Sequence, residues 1–116
     1  MGRSQVGTPA IGAQEIVLAL AGALDMASCP GIREEIDNLL DRHRGRHLVL
    51  DLSRVTFLDS SGVGLLLGRF RRLQGRGLTL RLVGVRPALD RVLRLSGLHG
   101  IMTIETARHP AQRGGT

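Results

Sequence analysis

The stretch FLDSSGVG, Phe57 to Gly64, decides how this chain is read. It follows the apolar run HLVLDL, residues 47–52, and precedes LLLGRFRRL, residues 65–73. An acid, two serines and a glycine between a strand-like and a helix-like run mark a strand-to-helix turn. Any of Asp59, Ser60 and Ser61 can cap free N–H groups at the helix start. A cap of this kind contributes about 1 kcal/mol and by itself accounts for these residues. The same place also tolerates a phosphate on a serine, because the positive end of the helix dipole and unpaired N–H groups favour an anion.

Outward from this turn, apolar runs and helical stripes alternate. Residues 15–21, EIVLALA, read as a strand ended by Gly22. A helix follows, with Ser28 as N-cap, Pro30 in the first turn, and Ile32, Ile36, Leu39, Leu40 and His43 on one stripe. Gly45 stops it. HLVLDL is a buried strand, and SRVTF is expected to turn into the quoted stretch. A second helix runs from Ser60 or Ser61 to Leu73. LTLRLVGV, residues 78–85, is a third strand; Arg86 and Pro87 open a third helix, SGLHG closes it, and IMTIE, residues 101–105, is the last strand. Residues 1–13 read as a flexible arm with a short edge strand around Gln5 to Thr8, residues 14–106 as the folded domain, and residues 107–116 as a frayed tail. Alternating elements with short links imply an α/β fold with a mostly parallel sheet of four to five strands and right-handed crossovers.

On a helical wheel, Val63, Leu66, Leu67, Phe70 and Leu73 share one face, the expected core face. The opposite face carries Ser61, Gly64, Leu65, Gly68 and Arg72. Two glycines inside a helix cost roughly 1 kcal/mol each relative to alanine. They leave a low surface on which another backbone can lie. Either this face docks a partner, or the glycines allow close packing within the domain.

Composition narrows the chemistry. The 116 residues suit one core, and 42% apolar residues are enough to bury one. With Phe57 and Phe70 the only aromatics, that core is aliphatic. The formal charge is +6, and every basic residue except histidine is arginine. Without lysine there is no P-loop lysine, Ser–Lys dyad or Schiff base. The single cysteine, Cys29, makes no internal disulfide and no CxxC pair, and is read as a small buried residue. His43, His47, His99 and His109 have no metal-ligand or triad spacing and are read as structural or solvated. No cofactor and no metal is expected. The N-terminus lacks a signal-peptide core, and the longest apolar run, Ile16 to Leu24, is too short to span a bilayer. A cytoplasmic protein without membrane contact is the expectation.

LVLDLSRVTFLDSSGVGLLLGRFRRL resembles the phosphorylation region of STAS-domain anti-sigma factor antagonists: an apolar strand, D-S-[ST]-G-[LV]-G, and an apolar helix. GALD, residues 22–25, is similar to the family's G-E-[LI]-D turn, and LRLSGLHGIMTI, residues 93–104, to its closing helix and strand. The resemblance runs from about Glu15 to Glu105. It implies a mixed sheet with helices mainly on one face, and a binding switch rather than an enzyme. In that reading the unphosphorylated form binds an anti-sigma factor, a serine protein kinase of the histidine-kinase-like ATPase type, and frees the sigma factor. Phosphorylation of the serine after the motif aspartate blocks binding, and a serine phosphatase restores it. That serine corresponds to Ser60, with Ser61 as second candidate. Partner-binding positions are then Asp25, Asp59, Ser61, Gly62, Gly64, Leu65, Gly68 and Arg72. Ala23 stands where the family has Glu, and the tail after Glu105 is short for the family's last helix.

Other readings fit less well. Gly62, Gly64 and Gly68 give G-x-G-x-x-x-G, not the dinucleotide fingerprint G-x-G-x-x-G, and residues 78–85 lack the acid it needs. G-x-S-x-G is absent. The basic charge suggests nucleic acid, but stacking aromatics and a recognised module are missing, so no direct nucleic-acid role is expected. A STAS-type scaffold or transporter-associated module is the nearest alternative, since fold does not fix function.

Overall fold

The computed structural model describes residues 5–107. The chain forms β1 (Ala10–Ile11), β2 (Glu15–Leu24), α1 (Cys29–Arg42), β3 (His47–Leu58), α2 (Ser60–Gln74), β4 (Leu80–Val85), α3 (Pro87–Leu95), a 3-10 turn (Leu98–Gly100) and β5 (Thr103–Thr106). The five strands make one sheet in the order β1-β2-β3-β4-β5. Only β1 is antiparallel, paired with β2; the other neighbours are parallel. A parallel sheet whose order follows the chain without reversing, joined by right-handed crossovers, carries its helices on one face. Accordingly, the buried residues of α1, α2 and α3 share one aliphatic core with Ile16, Leu18, Leu20, Leu50, Leu52 and Leu82 of the sheet. On the far face Arg81 of β4 reaches across β3 to Glu15 of β2 at 3.8 Å and pairs with Glu105 of the adjacent β5 at 2.8 Å.

Two local readings change. The segment SRVTF is not a turn but the second half of β3, which pairs from Arg54 to Leu58 with Ala21 to Leu24. Between the pairs Ala19–Asp51 and Ala21–Arg54, β2 advances two residues and β3 three. A second extra residue enters between Val55 and Phe57. These bulges break the period of two, so Leu52, Val55 and Leu58 face the core at intervals of three. Polar Ser53, Arg54 and Thr56 between them then look like a loop. At the N-terminus, the named edge strand β1 lies at Ala10–Ile11, while around Gln5 to Thr8, where a short edge strand was expected, the chain pairs with β2 through a single antiparallel bridge at Val6. Residues of the expected arm lie along β2: Val6 bridges Leu20, and the Gln5 side chain donates to the carbonyls of Ala21 (2.8 Å) and Ala23 (3.0 Å). His109 and residues 108–116 of the expected tail are outside the described residues.

Ser28 stands at the start of α1, but its hydroxyl does not cap that helix. It donates to the Ala23 carbonyl at 2.7 Å. The Asp25 carboxylate instead accepts from the backbone N–H groups of Ala27 (3.1 Å) and Ser28 (3.0 Å), closing the β2–α1 turn. The ends of β2 and β3 then fix the start of α2. The Asp59 N–H donates to the Leu24 carbonyl at 3.3 Å. A Cβ placed on Gly62 would lie 2.3 Å from Leu58 Cδ1 and 2.7 Å from the Leu24 carbonyl oxygen. Only glycine lets the helix sit this close to the sheet. Gly62→Ala is therefore expected to destabilise the fold by about 1–3 kcal/mol, measurable by urea denaturation.

Candidate functional site

Asp59 is the N-cap of α2, in extended conformation (φ −109°, ψ −167°). Its Oδ1 accepts from Ser61 N–H at 2.8 Å and Gly62 N–H at 3.2 Å. One carboxylate thus satisfies two of the open donors at the helix start, and neither serine is needed for capping. Ser60, the first residue of α2, is exposed, and Ser61 is half-buried. Among the described residues neither hydroxyl has a hydrogen-bond partner. The choice left open at Asp59, Ser60 and Ser61 resolves: the acid caps and both hydroxyls are spare.

The helix face expected to dock a partner is not a convex surface. α2 is rotated by about one residue from the wheel reading. Its buried positions are Gly62, Leu65, Leu66, Arg69 and Leu73, whereas Val63 and Phe70 only edge the core. Leu65, assigned to the outer face, is 5% exposed. It forms part of a groove of about 450 Å³ between α1 and α2. Ser61, Gly64 and Gly68 line it from α2, Cys29, Pro30 and Arg33 from α1, and Met26 from the turn before α1, with Arg69 beside Leu65. Met26 is 77% exposed at the groove's open end. A Cβ on Gly64 or Gly68 would meet nothing within 4 Å. Close packing within the domain therefore does not explain these two glycines.

The remaining candidates separate. Gly62 is a packing residue. Asp25 shapes the β2–α1 turn and lies outside the groove. Arg72 is turned to α1, where it pairs with Asp37 (Nη1 to Oδ1, 3.0 Å) and with Asp41. Although burial opposes it, those two carboxylates hold the Arg72 guanidinium above its ordinary value. Burial, reinforced by the Asp59 carboxylate, pushes the Cys29 thiol up, so it is an inert part of the wall.

Sequence reasoning placed Arg69 at the border of the docking face but missed its burial and the α1 wall. Arg69 is 7% exposed, and its Nε lies 3.2 Å from Asp37 Oδ1. That contact brings the charges together without aligning an N–H, and Arg69 Nε and Nη1 are buried without a hydrogen-bond partner among the described residues. Burial lowers the affinity of Arg69 for its proton, opposed by Asp37. A signal was present: Leu65, Arg69 and Leu73 recur every four residues on α2, as do Arg33, Asp37 and Asp41 on α1.

A model of the STAS domain matches residues 6–111. The chain is 35% identical over 89 residues to the anti-sigma F factor antagonist of Paenibacillus polymyxa, covering 77% of this chain and 76% of that relative. It is 31% identical over 90 residues to the anti-sigma-B factor antagonist of Bacillus subtilis, with 78% and 81% covered. Among solved structures, the unphosphorylated anti-sigma factor antagonist SpoIIAA matches with a TM-score of 0.74 at 27% identity, over 90% of both chains. The phosphorylated form of SpoIIAA, the Bacillus cell fate determinant, matches with a TM-score of 0.68 at 27% identity, over 92% of this chain and 96% of that one. No helix of the described residues is long and apolar enough to cross a membrane.

Two outcomes follow from the capping geometry and the open glycines. Asp59→Ala should cost about 1–2 kcal/mol in thermal or urea unfolding, while Ser60→Ala should stay within about 0.5 kcal/mol of the parent. Gly68→Ala should be neutral or stabilising by up to about 1 kcal/mol in the same measurement, opposite in sign to Gly62→Ala.

Proposed function

The chain belongs to the STAS-domain family of anti-sigma factor antagonists, and we propose that it acts as a phosphorylation-controlled antagonist. Its unphosphorylated form binds an anti-sigma factor of the serine-kinase type and so releases a sigma factor. Phosphorylation of Ser60 turns binding off, and a serine phosphatase turns it on again. In this reading the protein is a binding switch and not an enzyme, and it needs no cofactor.

The observation that carries this reading is the free, exposed hydroxyl of Ser60 at the first position of a helix that Asp59 already caps. A kinase can reach it, and modifying it removes no hydrogen bond from the fold. The phosphate would add roughly −2 charge next to the Asp59 carboxylate. The same surface continues into the groove wall at Ser61, Gly64 and Gly68. A partner seated there in the unphosphorylated state would meet concentrated negative charge and added bulk in the phosphorylated one. Ser61, half-buried in the wall, is the less accessible second candidate. The partner-facing set is then Ser60, Ser61, Gly64 and Gly68 with Leu65 beneath. Asp59 and Gly62 hold the helix start, and Asp25 shapes the neighbouring turn.

The test is incubation with kinase-type anti-sigma factors and ATP, mapping of phosphate by mass spectrometry, and titration calorimetry with the same partner. Phosphate is expected on Ser60. Phosphate on neither Ser60 nor Ser61 with any such kinase would sink the switch. Ser60→Ala should retain binding, and Ser60→Asp should stay folded but lose about a hundredfold in affinity, since like charges at an interface cost several kcal/mol.

A further inference from the structure

The α1–α2 groove holds a charge that the domain does not fully match. Arg33, Arg69 and Arg72 surround Asp37, at 3.9, 3.2 and 3.0 Å respectively. Asp41 answers Arg72. Three guanidinium groups thus face two carboxylates, and one positive charge remains. Arg72 is held by hydrogen bonds to the Asp37 carbonyl and the Asp41 carboxylate. Arg33 is largely exposed, its side chain 66% accessible, and water can serve it. The unmatched group is Arg69, more than nine-tenths buried, lining the groove, with Nε and Nη1 lacking hydrogen-bond partners among the described residues. A buried donor left open costs about 1–3 kcal/mol, more when charged. Nε, 3.2 Å from Asp37, and Nη1 have no open surface, so what Arg69 offers the groove is its uncompensated charge through the remaining edge of the guanidinium, Nη2. Beside it Gly64 and Gly68 leave backbone-sized room, and Leu65 and Met26 provide apolar contact.

We propose that this groove takes an acidic segment of the partner protein, with an aspartate or glutamate carboxylate accepting from Arg69 and the segment's backbone lying over Gly64 and Gly68. This rests on the antagonist reading above and names the chemistry by which the partner is recognised there. Arginine suits the task because its planar fork offers several donors to one carboxylate. Burial at the groove floor keeps water from competing, so the carboxylate adds specificity as well as charge. Ser60 and Arg69 lie nine residues apart on α2, roughly 13 Å along the helix axis. A phosphate on Ser60 therefore does not reach Arg69, and the two act on the partner separately.

The full chain, isotope-labelled, is titrated with the peptide acetyl-Leu-Glu-Leu-amide and with its Gln counterpart. The Arg69 Nε–Hε signal and the Gly64 and Gly68 amides are followed by NMR. The Glu peptide should bind about tenfold more tightly, the worth of one charge-assisted hydrogen bond. Arg69→Met should remove the preference. Gly68→Leu, which keeps Arg69 and fills the groove, should abolish binding of both peptides and guards against a folding defect in Arg69→Met. Equal affinities, a Glu preference that survives Arg69→Met, or unmoved signals overturn the proposal. So does inorganic phosphate binding more tightly than the Glu peptide, which would make this a phosphate site. A kinase-type partner that binds the parent and both variants alike also overturns it, while leaving the antagonist reading intact. Glu-selective binding in a protein on which no such kinase acts would instead retain the groove chemistry and remove the antagonist reading.

Discussion

A parallel sheet that grows in one direction, strand after strand, with right-handed crossovers must place its helices side by side on one face. Every other feature of the molecule depends on that constraint. It makes α1 and α2 neighbours and gives them a shared seam above β2 and β3. It also brings the β2–α1 turn and the β3–α2 turn together at one end of the sheet, so that Asp25 and Asp59 both lie within electrostatic reach of Cys29. The seam would normally fill with side chains. Here two glycines in α2 leave it open, and an ion cluster of Arg33, Asp37, Arg69, Arg72 and Asp41 closes its far part.

At the near end the work is divided among adjacent residues of one turn. Asp59 holds the helix start, Gly62 lets it seat against Leu24 and Leu58, and the serine hydroxyls between them hold nothing. Residues that are structurally idle in an otherwise fully used turn are free to change chemically. A motif that looks like a redundant string of helix-capping residues is in fact one cap, one seat and two unencumbered side chains.

The succession of strands and helices, the helix starting at Ser60 and the aliphatic core were legible in the sequence because each rests on local periodicity. The second half of β3 was not, because two bulges shift its inward residues from every second to every third position. Ser28 misled for a different reason: its hydroxyl had a choice of backbone partners, and the Ala23 carbonyl won over the helix start. For α2, the wheel identified the glycine face correctly as unusual but placed Leu65 outward and did not reveal that Arg69 is buried. A wheel treats arginine as outward and knows nothing of a neighbouring helix. The Asp37 carboxylate, 32 residues away in sequence from Arg69, draws that side chain inward, and no local rule reports it. The four-residue spacings of Arg33, Asp37 and Asp41 on α1 and of Leu65, Arg69 and Leu73 on α2 were the hint of a charged seam.

The tight seat of Gly62 has a consequence for how fast such a surface responds. With its Cβ position occupied by Leu58 and the Leu24 carbonyl, the first turn of α2 has no room to slide or tilt toward the sheet. On the proposed switch, a phosphate on Ser60 would meet this closely seated turn and change what the surface displays more than where the helix lies. A partner of the proposed switch would then meet a pre-formed surface at this turn. Encounter is then governed by diffusion and by charge, in the regime where pre-formed protein surfaces associate.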